Sequence, residues 1–328
     1  MGKSTMNQIT KKQHYIWRKY LAPWTNNHTN TGQIICFRNN RIFATSLMNV
    51  AHENYFYGVK ELSKQEKDII FEIAIKNTKG MQRTTNEGWL NLYCAPYDLA
   101  DQMTSLGYPV LGHMDRTELE NNQTFINWRI EFIEELHSQI ESTGIQYISL
   151  LRQSDLSFWR SEADRDRFSF FLSNQYFRTK NIRDRIIYVI EKVKVENHFF
   201  LDVHPENIWL PLSLIFASNV GVHIAQDFSA VLLQSDEDDF IVGDQPVLNT
   251  YSTFDMLTPP KEMQLFYPIS PSCALLLTRN MEYSNGQTLK ITAAEVQKYN
   301  VLEHRASKEL LFAKERSSLE AFLSSEKR

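Results

Sequence analysis

The sequence predicts an α+β protein in which a helical N-terminal and middle body packs on a mostly antiparallel sheet. That sheet is formed largely by the C-terminal third and followed by a C-terminal helix. Two textures carry the prediction: long apolar stripes at helical spacing through the middle of the chain, then short β-prone runs separated by turn residues. A third observation sets the domain count. With 328 residues, 42% hydrophobic content, no internal repeat and no low-complexity linker, one domain spanning 1–328 is expected.

The first element is a hairpin over 33–45. Gln33 to Arg38 and Arg41 to Thr45 are β-prone, and Asn39-Asn40 between them tolerates the positive φ of a tight turn. A helical body over 53–196 follows. Ser63 and Glu66 have the spacing of a capping box for a helix carrying Ile69, Ile70, Ile73 and Ala74, within helical spacing that runs from about Glu53 to Ile75. A second helix is expected from Thr117, with Glu120 as its capping partner. It places Ile126, Ile130, Ile133, Leu136 and Ile140 on one stripe and stops at Gly144. A third starts near Ser161 with Asp164 and runs through Gln175, and a fourth carries Ile182, Ile186, Val189, Ile190 and Val193.

After about Pro211 the β-rich part, 211–280, reads as an antiparallel meander through Ala230–Leu233, Asp239–Val242, Gln264–Tyr267 and Cys273–Thr278. Helices over 293–322 close the chain, with a break near His304 to Ser307.

Composition removes several function classes. A formal charge of -4 gives no global basic field, so a nucleic-acid site must be local. Cys36, Cys94 and Cys273 are too few and too far apart for a disulfide framework or a paired zinc site, which points to a reducing compartment. The start Met1-Gly2-Lys3-Ser4-Thr5-Met6 carries no targeting pattern, and runs such as Ala274–Leu277 are far shorter than the roughly 20 residues that span a bilayer. The expectation is a cytoplasmic protein with no membrane partner. There is no Gly-rich phosphate loop, nucleophile elbow or His-Glu-x-x-His.

Chemistry is expected where an acid interrupts a strand end, at Gly243-Asp244-Gln245-Pro246-Val247 after Phe240-Ile241-Val242. Gln175 and Arg178 are three apart and share a helix face, and His14 stands at the start of an aromatic segment. His14, Gln175, Arg178 and Asp244 are the candidate catalytic set. Asp244 would orient His14 or hold a divalent cation, Arg178 would take an anionic group, and Gln175 would fix the substrate. On this reading Asp244→Ala and His14→Ala remove activity with only modest loss of stability. The competing reading is a buried structural Arg178–Asp244 pair.

Arg160, Arg165, Arg167, Lys180, Arg183 and Arg185, interleaved with Trp159, Phe168, Tyr176 and Phe177, form the candidate nucleic-acid surface; the same charges also suit solvated helix faces. Asp236-Glu237-Asp238-Asp239 reads as a hairpin turn, and His113, His204 and His223 as loop or core residues.

Four stretches in order resemble the bacterial family catalogued as domain of unknown function 4238. Gln13-His14-Tyr15-Ile16-Trp17-Arg18-Lys19-Tyr20-Leu21 is similar to that family's opening, with Trp17 where Pro is usual. Gln175-Tyr176-Phe177-Arg178-Thr179 is similar to its Gln-x-x-Arg-Thr helix, and Gly243-Asp244-Gln245-Pro246-Val247 to its Ser-Asp-Asn-Pro-Val. Phe266-Tyr267-Pro268-Ile269-Ser270-Pro271 is similar to its Phe-Pro-Leu-Ser-Pro strand, and Asn300 stands where the family tends to have Asn. The resemblance covers His14 to about Lys308 and implies no settled activity. The leading expectation is a nuclease-like hydrolase acting on RNA or DNA, used as a toxin or anti-phage effector. The alternative is a non-catalytic binding or sensor module that docks a protein partner, such as one of a defence system, or a ligand.

Overall fold

A computed structural model describes residues 11–106, 116–196, 202–236, 239–255 and 257–326. Among them the elements are β1 (Lys12–His14), α1 (Arg18–Leu21), β2 (Gln33–Arg38), β3 (Arg41–Ser46) and β4 (His52–Asn54). Then come α2 (Lys64–Ala74), α3 (Gly80–Ser105), α4 (Arg116–Asn121), α5 (Gln123–Arg152), α6 (Glu162–Phe177), α7 (Lys180–Glu196) and α8 (Pro205–Asp227). The C-terminal part holds β5 (Ser229–Gln234), β6 (Val242–Gly243), β7 (Leu248–Asn249), β8 (Leu265–Ser270), β9 (Cys273–Thr278) and β10 (Gln287–Lys290). It ends in α9 (Ala293–Ala306), β11 (Leu311–Ala313) and α10 (Arg316–Ser325).

The molecule is α+β, with helices outweighing strands. One sheet has the order β10-β5-β9-β8-β7, antiparallel except for the β10–β5 edge. A second, β3-β2-β11-β6, joins the N-terminal hairpin to C-terminal strands. The C-terminal third therefore supplies most of the strands, but closure of the second sheet needs residues from both ends of the chain.

Local rules account for several elements. Asn39 (φ 51) and Asn40 (φ 59) make the left-handed turn between β2 and β3. Ser63 and Glu66 form both bonds of a capping box, at 3.1 and 2.8 Å. Ser161 caps α6 by accepting from the Asp164 N–H.

Four expectations are corrected. The helix expected from Thr117 is two: α4, then α5 capped by Asn122, whose side chain accepts from Thr124 and Phe125 N–H at 3.0 and 3.1 Å. Gly144 does not end α5; it lies buried inside it, where any Cβ would collide with the Phe171 ring of α6. Strand texture does not begin at Pro211, which sits inside α8, a helix buried nearly all round. By length and composition alone α8 could cross a bilayer, but 72% of its most apolar window is buried inside the protein, as in a core helix. Finally, β5 and β6 belong to different sheets, so these two strands do not form the expected hairpin; Glu237, Asp238 and His113 lie outside the described residues. Asp236 pairs with Lys290 at 2.5 Å.

Candidate active site

β1 pairs with β4, placing His14 opposite His52, with ring centroids 5.3 Å apart. Alternation along the strand turns Gln13 inward. Its amide donates to the Ile130 carbonyl of α5 at 2.9 Å and accepts from the Tyr57 N–H at 2.7 Å, which pins β1 to α5. His14 is thereby held at a cavity of about 290 Å³ between α1 and α5, also lined by Arg18, Lys19, Glu134, Glu141 and Arg178. On α5 the lining residues Glu134, Ser138, Glu141 and Ile145 follow the i, i+4, i+7, i+11 rhythm of a single helix face.

Two residues that line this cavity each hold a buried polar atom without a hydrogen-bond partner among the described residues, His14 its Nε2 and Glu134 its Oε2. Burial pushes the Glu134 carboxyl up to about 7, against the pull of Arg178. Burial also lowers His14 to about 4, helped by Arg18 and His52 and opposed by a backbone hydrogen bond to Leu47. Near neutrality the imidazole is uncharged and Glu134 titrates.

Arg178, at the end of α6, is buried. Its Nε donates to the Tyr57 hydroxyl at 2.9 Å, Nη1 to Glu141 at 2.5 Å and Nη2 to the His14 carbonyl at 2.6 Å. Burial opposes its charge, but Tyr57, Glu141 and Glu134 outweigh that and raise its pKa. All three nitrogens are thus engaged inside the protein. The other cationic side chains that line this cavity are Arg18 and Lys19, which the sequence did not single out.

Asp244 is elsewhere. Its carboxylate accepts the backbone N–H groups of Lys308, Glu309 and Leu310 at 2.6, 2.8 and 3.2 Å, and its own N–H donates to the Leu310 carbonyl at 3.1 Å. Burial pushes it up to about 6 while those donors pull it down. Three N–H donors stand where a cation would bind, so Asp244 neither orients His14 nor offers a metal ligand, and Arg178 pairs with Glu141 rather than with it. Gly243 is required by closeness: a Cβ there would run into Ser307 Oγ and stand 3.0 Å from the Glu303 carbonyl. Gln175 is buried, with its Nε2 unbonded among the described residues, and does not line the cavity. Among the described residues no group of three His, Cys, Asp or Glu side chains converges to hold a metal.

The motifs nevertheless meet, through other atoms than expected. Thr179 donates to Gln245, whose amide donates to the Tyr176 and Val247 carbonyls at 3.2 and 2.8 Å. Tyr20 stacks on Tyr267 with centroids 4.8 Å apart, and Asn300 bonds the Ile241 N–H and the Asp239 carbonyl, both at 3.0 Å.

The candidate nucleic-acid residues divide between the two ends of α6, a 16-residue helix about 24 Å long. Arg160 is exposed, Arg165 bonds the Trp159 carbonyl at 3.3 Å, and Arg167 lies 3.4 Å from Asp164. At the other end Lys180 pairs with Glu309 at 2.5 Å and Arg183 with Glu53 at 2.7 Å, while Arg185 bonds the Asp255 carbonyl at 2.9 Å. They form two groups, mostly tied to internal acceptors, rather than one stripe.

A family model described as protein of unknown function (DUF4238) matches residues 12–317. The chain belongs to that family. No curated protein and no solved structure matches it. As a family member it carries Asp244 and Gln245 as the struts of its motif turns, and His14 and Arg178 at the cavity. Glu134 and Glu141 were invisible in the sequence because a polar stripe beside an apolar one on α5 reads as a solvated face. The available signal was their spacing with Ser138 and Ile145.

Proposed function

We propose that the cavity between α1 and α5 is the active site of a hydrolase acting on a phosphate-containing substrate, RNA or DNA, by proton transfer. The observation that carries this is the pair of buried, unbonded polar atoms, His14 Nε2 and Glu134 Oε2, at one cavity. Unsatisfied buried groups cost free energy, and such groups are retained where a ligand completes them. The split of their pKa values supports the assignment of roles: His14, uncharged above about 4, accepts a proton, and Glu134, protonated below about 7, donates one. Arg18 and Lys19 face the anionic group, while the Arg178–Glu141 pair positions His14 through its carbonyl.

One observation favours the non-catalytic binding reading: each nitrogen of the Arg178 guanidinium is engaged in an internal bond, which ties the group to the fold. Expression of the chain separates the two, using the growth arrest expected of a toxin or anti-phage effector. Arrest that disappears in Glu134→Gln and in His14→Gln, with no loss of thermal stability, supports the enzyme. Arrest that persists in both variants removes it.

A further inference from the structure

β1 and β4 form a sheet of their own, two strands of three residues each. The Tyr15 N–H donates to the Ala51 carbonyl at 3.0 Å and the Tyr55 N–H to the Lys11 carbonyl at 2.9 Å, which puts His14 and His52 at a non-hydrogen-bonded position of the ladder. There the side chains of a cross-strand pair stand closest, and like charges set opposite each other repel. The two imidazoles meet edge to face with centroids 5.3 Å apart, and neither His14 Nε2 nor His52 Nδ1, both buried, has a hydrogen-bond partner among the described residues.

The surroundings resist positive charge on this pair. Arg18 of α1 and Arg178 at the end of α6 act on His14, and Lys12 of β1 and Arg38 of β2 act on His52. The acids of the neighbouring elements are engaged with other partners: Glu141 of α5 with Arg178 at 2.5 Å, Glu53 of β4 with Arg183 at 2.7 Å and Glu309 with Arg38 at 3.0 Å. Glu134 of α5, its carboxyl pushed up to about 7, is itself protonated in mild acid. The hydrogen bond between His14 and the Leu47 backbone works the other way, in favour of a charged ring.

We propose that His14 and His52 form an acid-operated latch: on gaining protons the two rings repel, and β1 parts from β4 while the helical body stays folded. Parting carries His14 off the wall of the cavity, so acid takes that cavity apart whether or not it is catalytic. Burial, then the nearby cations, hold His14 down to about 4 in the closed ladder and lower His52 in the same direction. Both return towards about 6.5 once the strands part, so the closed form is at full strength above about pH 6.5 and weakens as pH falls towards 4.

The test is amide hydrogen exchange of the full chain by NMR, without substrate. After correction for intrinsic rates, the Tyr15 and Tyr55 amides should exchange at least ~10-fold faster at pH 4.5 than at pH 6.5 while the α8 amides keep their protection, because each proton taken up on opening changes the equilibrium by up to ~10-fold per pH unit. His52→Gln should flatten that rise, and His14→Gln/His52→Gln should abolish it, with α8 protection at pH 6.5 showing that each variant is folded. A rise that survives in the double variant, no rise in the parent protein, or loss of α8 protection in step with the two strands overturns the inference. Each of those outcomes leaves the hydrolase reading standing, since the growth assay decides it.

Discussion

Asp244 and Glu134 are both carboxylates drawn out of water, with carboxyls pushed up to about 6 and about 7, yet their surroundings are opposite. Both Asp244 oxygens accept backbone N–H groups from the 308–310 loop, a concave set of donors that closes on the anion. Glu134 Oε2 accepts nothing from the described residues, and Glu134 lines a cavity together with His14, whose Nε2 is equally unused. Burial and a shifted pKa therefore do not by themselves separate a strut from a working group. The accounting of hydrogen bonds does, because a satisfied acid has no capacity left for a substrate.

The largest effect expected from this contrast is on Asp244. Asp244→Ala strands three N–H donors under β11 and should cost on the order of 3–5 kcal/mol in urea unfolding, the reverse of the modest loss expected from sequence. A loss under ~1 kcal/mol would mean that the nest holds nothing, and the contrast would collapse.

Arg178→Ala comes next, at about 3 kcal/mol or more, because Glu141 is left as a buried charge without its partner at 2.5 Å. The double variant Arg178→Ala/Glu141→Gln should recover part of that loss; full additivity of the two changes would argue against the pair.

Glu134→Gln sharpens the other side of the contrast. The folded-state pKa of Glu134 lies above its unfolded value of 4.5, so its contribution is fully present below about pH 4.5 and is lost as pH rises through 7. The variant should match the parent protein at pH 4.5 and exceed it by roughly 1–2 kcal/mol at pH 8, once partial solvent access is allowed for. Equal pH slopes in the two proteins would show that Glu134 ionises freely.

His14 runs the other way. Its folded-state pKa is depressed to about 4, so the stability it contributes is present above about 6.5 and is lost as pH falls through 4. An NMR titration of labelled histidine should show the His14 imidazole, assigned by its loss in His14→Gln, still neutral at pH 5 beside the buried His137; a His14 midpoint near 6.5 would move it out of its buried setting.

The smallest effect is at the exposed end of α6, where Arg167→Gln removes a surface contact of 3.4 Å to Asp164 and should change stability by less than ~0.5 kcal/mol.

Local chemistry determined a good part of the molecule. Asn39-Asn40 specified a turn, Ser63 with Glu66 a helix start, Ser161 another, and the ordered motifs the family, because each depends on atoms within a few positions of one another. Pro211 misled, since the burial of α8 by α2, α3, α6 and α7 outweighs the local preference of a proline near the start of a helix. The site was half legible. His14 and Arg178 were named from sequence and meet at one cavity, but Glu134 looked like any charge on a solvated face, and Asp244 looked like a catalytic acid at a strand end or the partner of Arg178. Only tertiary structure decided those two, by bringing β1 against α5 and the 308–310 loop against β6. Periodicity tells which side of an element a residue occupies. Which groups meet it there depends on contacts more than 60 positions away in the chain, between Asp244 and Lys308, and more than 110 away, between Gln13 and Ile130.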